Sequence, residues 1–257
     1  MMGWGANKGE PGLSDLDASP PNNASCGRRL TTLTYGKPEN PVTPVPEQPK
    51  IYHITHVDNL PPIVKEGALV CDQIMMERGG AQQSIGMSEI KRRRVEELSV
   101  PCHPGTKVGD YVPFYFCPRS VMLYVIYCRN HPDLTYQEGQ DPIVHLEADL
   151  YRVIEWAHEE GAHWAFSLSN AGARYAEFRA TKKQLAELDW DAIVARDFSA
   201  PDVKERKQAE FLVHERFPFD LFERIGVRSQ EIQQRALQAI EESAAQPRVV
   251  VQRKWYF

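Results

Sequence analysis

The sequence predicts an α+β domain, with a β-sheet core flanked by short helices. Many short β-branched and aromatic runs are separated by only brief helical patterns. Strict β-α-β alternation, which would wind a parallel sheet, is scarce. The glycine signatures of phosphate loops and dinucleotide folds are absent, with no G-x-x-x-x-G-K-[ST] and no G-x-G-x-x-G after a strand. The 257 residues, 42% hydrophobic and 25% charged, suit one globular domain of about 200 residues with an appendage.

Residues 1–48 are rich in Gly, Pro, Ser and Asn and lack apolar periodicity. Such a segment cannot bury enough surface to offset chain entropy, so it is expected to be a disordered or loosely attached arm ahead of a domain spanning 49–257. Ile51-Tyr52-His53-Ile54-Thr55-His56 reads as the first strand. Asp58 or Asn59 then caps a short helix that Gly67 stops, and Leu69-Val70-Cys71 is a second strand. From Gln73 to Val108 the pattern loosens into a long, partly helical excursion of the kind that often forms a lid.

Tyr111–Phe116 reads as a strand turned by Pro118-Arg119-Ser120 into a helix through Met122 and Ile126. Pro142–Ala148 is another strand, with a short helix or turn at Asp149–Val153, and Trp164–Ser167 extends the sheet. A second excursion runs from Ser169 to Gln208, helical between Thr181 and Leu188. Glu210–His214 follows as a strand with Phe211 and Val213 on one face and Glu210, Leu212 and His214 on the other. Ile232, Leu237 and Ile240 mark a late amphipathic helix, and Val249–Val251 with Trp255–Phe257 close with a strand.

No stretch approaches the 18 to 20 apolar residues that a membrane helix needs. Met1–Ala6 has neither the basic flank nor the apolar run of a signal peptide, and Met2-Gly3 lacks the myristoylation context. The five cysteines are odd in number and irregularly spaced, which fits reduced thiols in a cytoplasm. A net charge of −5 argues against generic nucleic-acid binding. Local basic clusters at Lys91–Arg94 and Lys204–Lys207 are either solvated helix faces or one basic track on an acidic surface.

His53 and Thr55 share one strand face and offer donors and acceptors to a ribose or phosphate; a buried structural imidazole is the plainer alternative. His53 and His56 face opposite sides, which disfavours a shared metal, and none is expected. A second His-x-[ST], which two-histidine phosphoesterases require, is missing. Glu210 begins a strand after a long excursion and beside an aromatic run. It is either a surface carboxylate or one that stabilises positive charge on an anomeric carbon as a leaving group departs. Glycoside hydrolysis normally needs two carboxylates, so one favours group transfer from a good leaving group. Tyr115 is either core or a stacking face for a flat ring such as nicotinamide. Arg92–Arg94 can pair with phosphates or reach an acceptor base.

From about Ile51 to Phe257 the chain resembles the DarT family of toxin–antitoxin DNA ADP-ribosyltransferases. The resemblance rests on Tyr52-His53-Ile54-Thr55-His56-Val57-Asp58-Asn59-Leu60, Ile90-Lys91-Arg92-Arg93-Arg94, and Asp110–Phe116 with Arg119–Leu123. It continues through Asn170-Ala171, Arg174-Tyr175, Lys207–Val213 and Trp255-Tyr256-Phe257. It implies an ADP-ribosyltransferase-like split β-sheet core with two long functional loops, and transfer of ADP-ribose from NAD⁺ to a base of single-stranded DNA.

By this resemblance His53, Ile54 and Thr55 hold the adenosine and ribose side of NAD⁺, Leu69 and Val70 line the pocket, and Tyr115 adjoins it. Met75–Arg93 covers the cofactor, and Ser169–Glu210 presents the DNA. Glu210 is the catalytic carboxylate. Arg93 is the first choice for its partner, with Arg92 and Arg94 as alternatives. Arg92, Arg94, Arg174, Tyr175 and Lys207 are expected to contact DNA. Thymine is the favoured acceptor, with guanine, RNA or protein as alternatives, or a non-catalytic single-strand binding module. A macrodomain antitoxin is the expected partner.

Overall fold

The computed structural model describes residues 43–257, and its first element is the expected apolar run, β1 (Lys50–His56). Helix α1 (Leu60–Glu66) has prolines in its first turn, where no intrahelical N–H is needed, and ends at Gly67 with φ 69°. Next come β2 (Ala68–Val70), α2 (Asp72–Glu77), α3 (Ser88–Glu96) and β3 (Tyr111–Tyr115). Helix α4 (Val121–Cys128) starts at Ser120, whose hydroxyl accepts from the Leu123 amide at 3.2 Å. It is followed by β4 (Ile143–Asp149), α5 (Leu150–Glu159), β5 (Trp164–Asn170) and β6 (Phe178–Arg179). Helices α6 (Trp190–Val194) and α7 (Pro201–Arg206) occupy the second excursion. Then follow β7 (Ala209–His214), β8 (Arg216–Pro218), β9 (Phe222–Val227), α8 (Gln230–Ile240) and β10 (Arg248–Val251).

Eight strands form one sheet in the order β10-β9-β4-β1-β3-β7-β5-β6, and β2 pairs with β8 in a small second sheet. All pairs are antiparallel except β9 with β10. β1 registers with β4 over seven residue pairs but with β3 at only one, Tyr52 with Tyr115. Pro113 explains part of this. Its carbonyl faces β1, where it accepts from the His53 ring at 2.8 Å, so the N–H that proline lacks is one the β1 ladder would have used. The sheet is therefore most weakly joined at the β1–β3 seam. The result is an α+β core with short helices around it.

The principal core lies on one face of this sheet and centres on Phe114, Phe166, Phe211 and Phe217, all fully buried. Leu212 points the other way into a smaller cluster with Tyr111 and Ala165, so β7 is covered on both faces. Glu210 is thereby fixed at the end of one of the most enclosed strands.

The element reading needs four corrections. The short helix or turn expected at 149–153 is a ten-residue helix, because Leu150, Val153 and Ala157 form a buried stripe at helical spacing. The second excursion contains α6 and α7, and β8 and β9 add strands between 216 and 227 that the sequence reading did not place. The strand expected at Trp255–Phe257 is absent: Arg253–Trp255 forms a single 3-10 turn after β10 ends at Val251. Of the expected arm, residues 1–42, including Cys26, Arg28 and Arg29, lie outside the described residues. Val45 packs against the principal core, and Thr43 hydrogen-bonds Asp191. Cys71, Cys102, Cys117 and Cys128 are free thiols. Among the described residues no helix is long and apolar enough to cross a membrane.

Candidate active site

The β1–β3 seam opens into a cleft of about 980 Å³. β1 contributes His53, Ile54 and Thr55 to its wall, β2 contributes Leu69 and Val70, and β3 contributes Tyr115. Arg94 from α3 and Glu210 from β7 meet there. A separate cavity of about 1120 Å³ near α1 and the end of α8 is lined by Lys65, Asp220, Glu241 and Glu242, among others. None of those four charges is ion-paired among the described residues, and no buried orphaned group faces them, so the chemistry selects the seam.

Glu210 sits opposite Tyr115 in the β3–β7 ladder. On its other side the β5–β7 register shifts between Phe166 and Asn170. The Ser167 hydroxyl fills that gap: it accepts from the Glu210 amide at 3.0 Å and donates to the Ser169 carbonyl at 2.6 Å. This fixes the backbone of the carboxylate-bearing residue.

Arg94 lies across the cleft. Its Nη1 donates to both carboxylate oxygens of Glu210, at 2.9 and 3.2 Å, and the two side chains are 8% and 6% exposed. Burial works against the guanidinium charge, but Glu210 and Asp72 outweigh it and hold the pKa of Arg94 above its ordinary value. Nε and Nη2 of Arg94 are buried without a partner. Two orphaned donors on a buried cation at a cleft wall suit an anionic ligand such as a phosphate. Burial, followed by the Glu210 charge, pushes the Tyr115 phenol well above its ordinary range, so it stays neutral.

His53 donates from Nδ1 to the Pro113 carbonyl, and burial lowers the imidazole pKa despite that bond. The neutral ring then presents Nε2 as an acceptor, suited to a ribose hydroxyl. Thr55 accepts from Asn59 Nδ2 at 2.9 Å; Asn59 also donates to the Gln83 carbonyl at 2.7 Å and accepts from the Gln83 amide at 2.9 Å. The loop between α2 and α3 is thus tied to β1, and residues 80–87 roof the cleft. Lys91, one turn before Arg94, pairs with Asp72 at 3.2 Å. Among the described residues no group of three or more His, Cys, Asp or Glu could hold a metal ion.

Several of the predicted site residues lie elsewhere. Arg93, the first choice as partner of Glu210, does not reach it; its nearest partners are the Gly172 carbonyl at 3.5 Å and Glu97 at 3.8 Å. Successive helical residues are about 100° apart, and Arg94 is the one that shares a face with Ile90 and Lys91 in the cleft. Arg92 points outward and is held by Glu89 and Glu96. Lys207 is only 2% exposed and donates to the Ile193 carbonyl at 2.6 Å and to Cys117 Sγ at 3.4 Å, so it is not a surface phosphate contact. Arg206 pairs with Asp189 and Asp202, so the expected basic track is largely neutralised from within. Arg174 and Tyr175 are exposed at the tip beyond Asn170, which itself lines the cleft. Sequence reasoning missed Asn59, Ser167 and Asp72. Asn59 stood as a helix cap and as part of the Tyr52–Leu60 motif, with no role given to its side chain.

The family model described as "DarT: ssDNA thymidine ADP-ribosyltransferase" matches residues 52–257. A DNA ADP-ribosyl transferase from Thermus sp. (strain 2.9) is 40% identical over 215 residues, covering 82% of this chain and 98% of the relative. The solved structure of Thermus sp. 2.9 DarT in complex with ADP-ribosylated ssDNA superposes with a TM-score of 0.74 at 39% identity, covering 82% of this chain and 98% of that one. The same Thermus protein in complex with NAD⁺ gives 0.70 at 37% identity, covering 83% and 100%.

Proposed function

The chain belongs to the DarT family of NAD⁺-dependent DNA ADP-ribosyltransferases, and on that premise we propose that it transfers ADP-ribose from NAD⁺ to thymine in single-stranded DNA, with Glu210 as the catalytic carboxylate and Arg94 as its partner. The observation that carries this reading is the buried Arg94–Glu210 pair facing the seam cleft.

The roles follow from the groups present. Arg94, with two donors uncommitted, takes the pyrophosphate oxygens. His53 and Thr55 bind ribose hydroxyls from β1, and Leu69 and Val70 supply apolar wall. The neutral Tyr115 ring lies against the nicotinamide side. The bond from the ribose anomeric carbon to nicotinamide N1 breaks, and its electron pair leaves with nicotinamide. The sugar takes on oxocarbenium character, which the Glu210 carboxylate stabilises by its charge and by accepting from a ribose hydroxyl. Thymine in DNA has a single ring N–H, at N3. Attack from N3 forms the new bond, and that proton passes to Glu210 and on to water. A single-stranded substrate avoids the cost of unpairing the base.

Asn170, Arg174 and Tyr175 are assigned to the DNA side, where an exposed ring and cation suit base and phosphate. Arg92 and Arg93 keep at most a peripheral part in DNA binding. The same reading makes the protein a cytoplasmic toxin, countered by a macrodomain that removes the modification. The test uses oligonucleotides that differ in a single base. Mass spectrometry should find one added ADP-ribose where thymine is present and none where it is replaced; an adduct on guanine, RNA or protein alone would move the assignment to that acceptor.

A further inference from the structure

Outside the cleft, α4 presents a second face. Val121, Met122 and Val125 line the cleft, whereas Tyr124 and Tyr127 stand on the outer side, 39% and 50% exposed. They belong to an aromatic cluster: Tyr124 meets Phe198 edge-on at 5.3 Å and Phe257 at 5.0 Å, and Tyr127 stacks on Phe257 at 6.0 Å. The Arg119 guanidinium lies 4.2 Å over the Phe257 ring, with its Nε buried and unpartnered. Arg129 and Arg196, beside these aromatics in sequence, are exposed and make no ion pair among the described residues, and Asp197 accepts from the Ser199 amide and hydroxyl. Phe198 belongs to the segment that runs through Lys204 and Gln208 at the cleft to Glu210.

We propose that this cluster is a second nucleic-acid subsite, a platform on which bases flanking the target in single-stranded DNA stack as the strand leaves the cleft across α4. The inference rests on the DNA-transferase reading above. Exposed tyrosines tolerate any base, because every base has a π-face, and arginines among them follow the backbone charge. Arg129 and Arg196 are not held in ion pairs among the described residues, unlike Arg92 and Arg206. The platform gains affinity without reading sequence, leaving base choice to the cleft.

The test compares a short oligonucleotide holding only the target base and its immediate neighbours with longer ones extended on either side. For the wild-type protein, kcat/KM should rise on extension toward one end and fall back when that flank is made abasic. The double variant Tyr124→Ala/Tyr127→Ala, at exposed positions, should lose about five- to thirtyfold on the extended substrate while matching wild type on the short one. A Phe substitution at both positions should restore the gain. No gain on extension, or a gain that the double alanine variant keeps, overturns the platform. Failure of wild type to modify the short and the extended substrates alike would instead count against the transferase reading.

Discussion

Arg94 Nη1 lies 2.9 Å and 3.2 Å from the two carboxylate oxygens of Glu210, with both side chains buried at the cleft. Each charge is tolerable there because the other is present. The same arginine keeps two further donors unsatisfied, so the pair is complete as an ion pair and incomplete as a hydrogen-bonding site. A buried group in that state suits the anionic ligand proposed above.

Arg94→Ala should lower transfer by about 10²–10³-fold and destabilise the fold by about 3–5 kcal/mol, since it strands Glu210. Arg94→Lys should recover much of the stability but little of the rate, because one ammonium cannot reproduce the guanidinium fork. Arg93→Ala should stay within about twofold of wild type. Steady-state kinetics beside thermal melts will show this split; equal losses at 93 and 94 would undo the assignment.

Asn59→Ala removes three hydrogen bonds that tie Gln83 and Thr55 together. The roof of the cleft loses its anchor on β1, so KM for NAD⁺ should rise by roughly tenfold while kcat changes less. Limited proteolysis should show new cleavage within residues 80–87, suppressed by saturating NAD⁺.

Acid stability should report on His145. Burial holds its pKa down at about 4, and it donates from Nε2 to the Pro118 carbonyl at 2.9 Å. The unfolded chain takes up this proton near pH 6.5 and the folded chain only near 4. The stability contribution is therefore complete above pH 6.5 and is lost progressively as pH falls toward 4, by about 3 kcal/mol. Denaturant titrations of His145→Gln at pH 7 and pH 4.5 should show a smaller difference than wild type; an unchanged difference would place the acid sensitivity elsewhere.

Lys207→Gln should leave the salt dependence of DNA binding unaltered, because its ammonium is buried on the Ile193 carbonyl. Its cost should appear as lost stability, about 1–3 kcal/mol. Arg174→Ala should instead reduce the slope of log affinity against log salt by about 0.7, the value for one single-strand phosphate contact.

The sequence made the strand framework legible wherever apolar runs were bounded by turn residues, as at Ile51–His56, Tyr111–Phe116 and Glu210–His214. It failed where the signal depends on a neighbour. β8 pairs with β2 across nearly 150 residues, and α6 and α7 are too short for periodicity to show. Glu210 drew notice as a carboxylate opening a strand after a long excursion, and its catalytic role was expected from the family resemblance. The arginine run was found as well, but not its phase. Three adjacent arginines point in three directions, and Ile90 four residues before Arg94 was the one cue to which turns inward. Lys207 misled because a lysine in a charged stretch is usually solvated, and only the tertiary fold buries it.

The most direct test incubates the purified protein with NAD⁺ and mixed-sequence single-stranded DNA, and weighs the DNA by mass spectrometry. The account predicts an added ADP-ribose for wild type and none for Glu210→Ala under conditions where that variant remains folded and binds NAD⁺. Full modification by Glu210→Ala would contradict it.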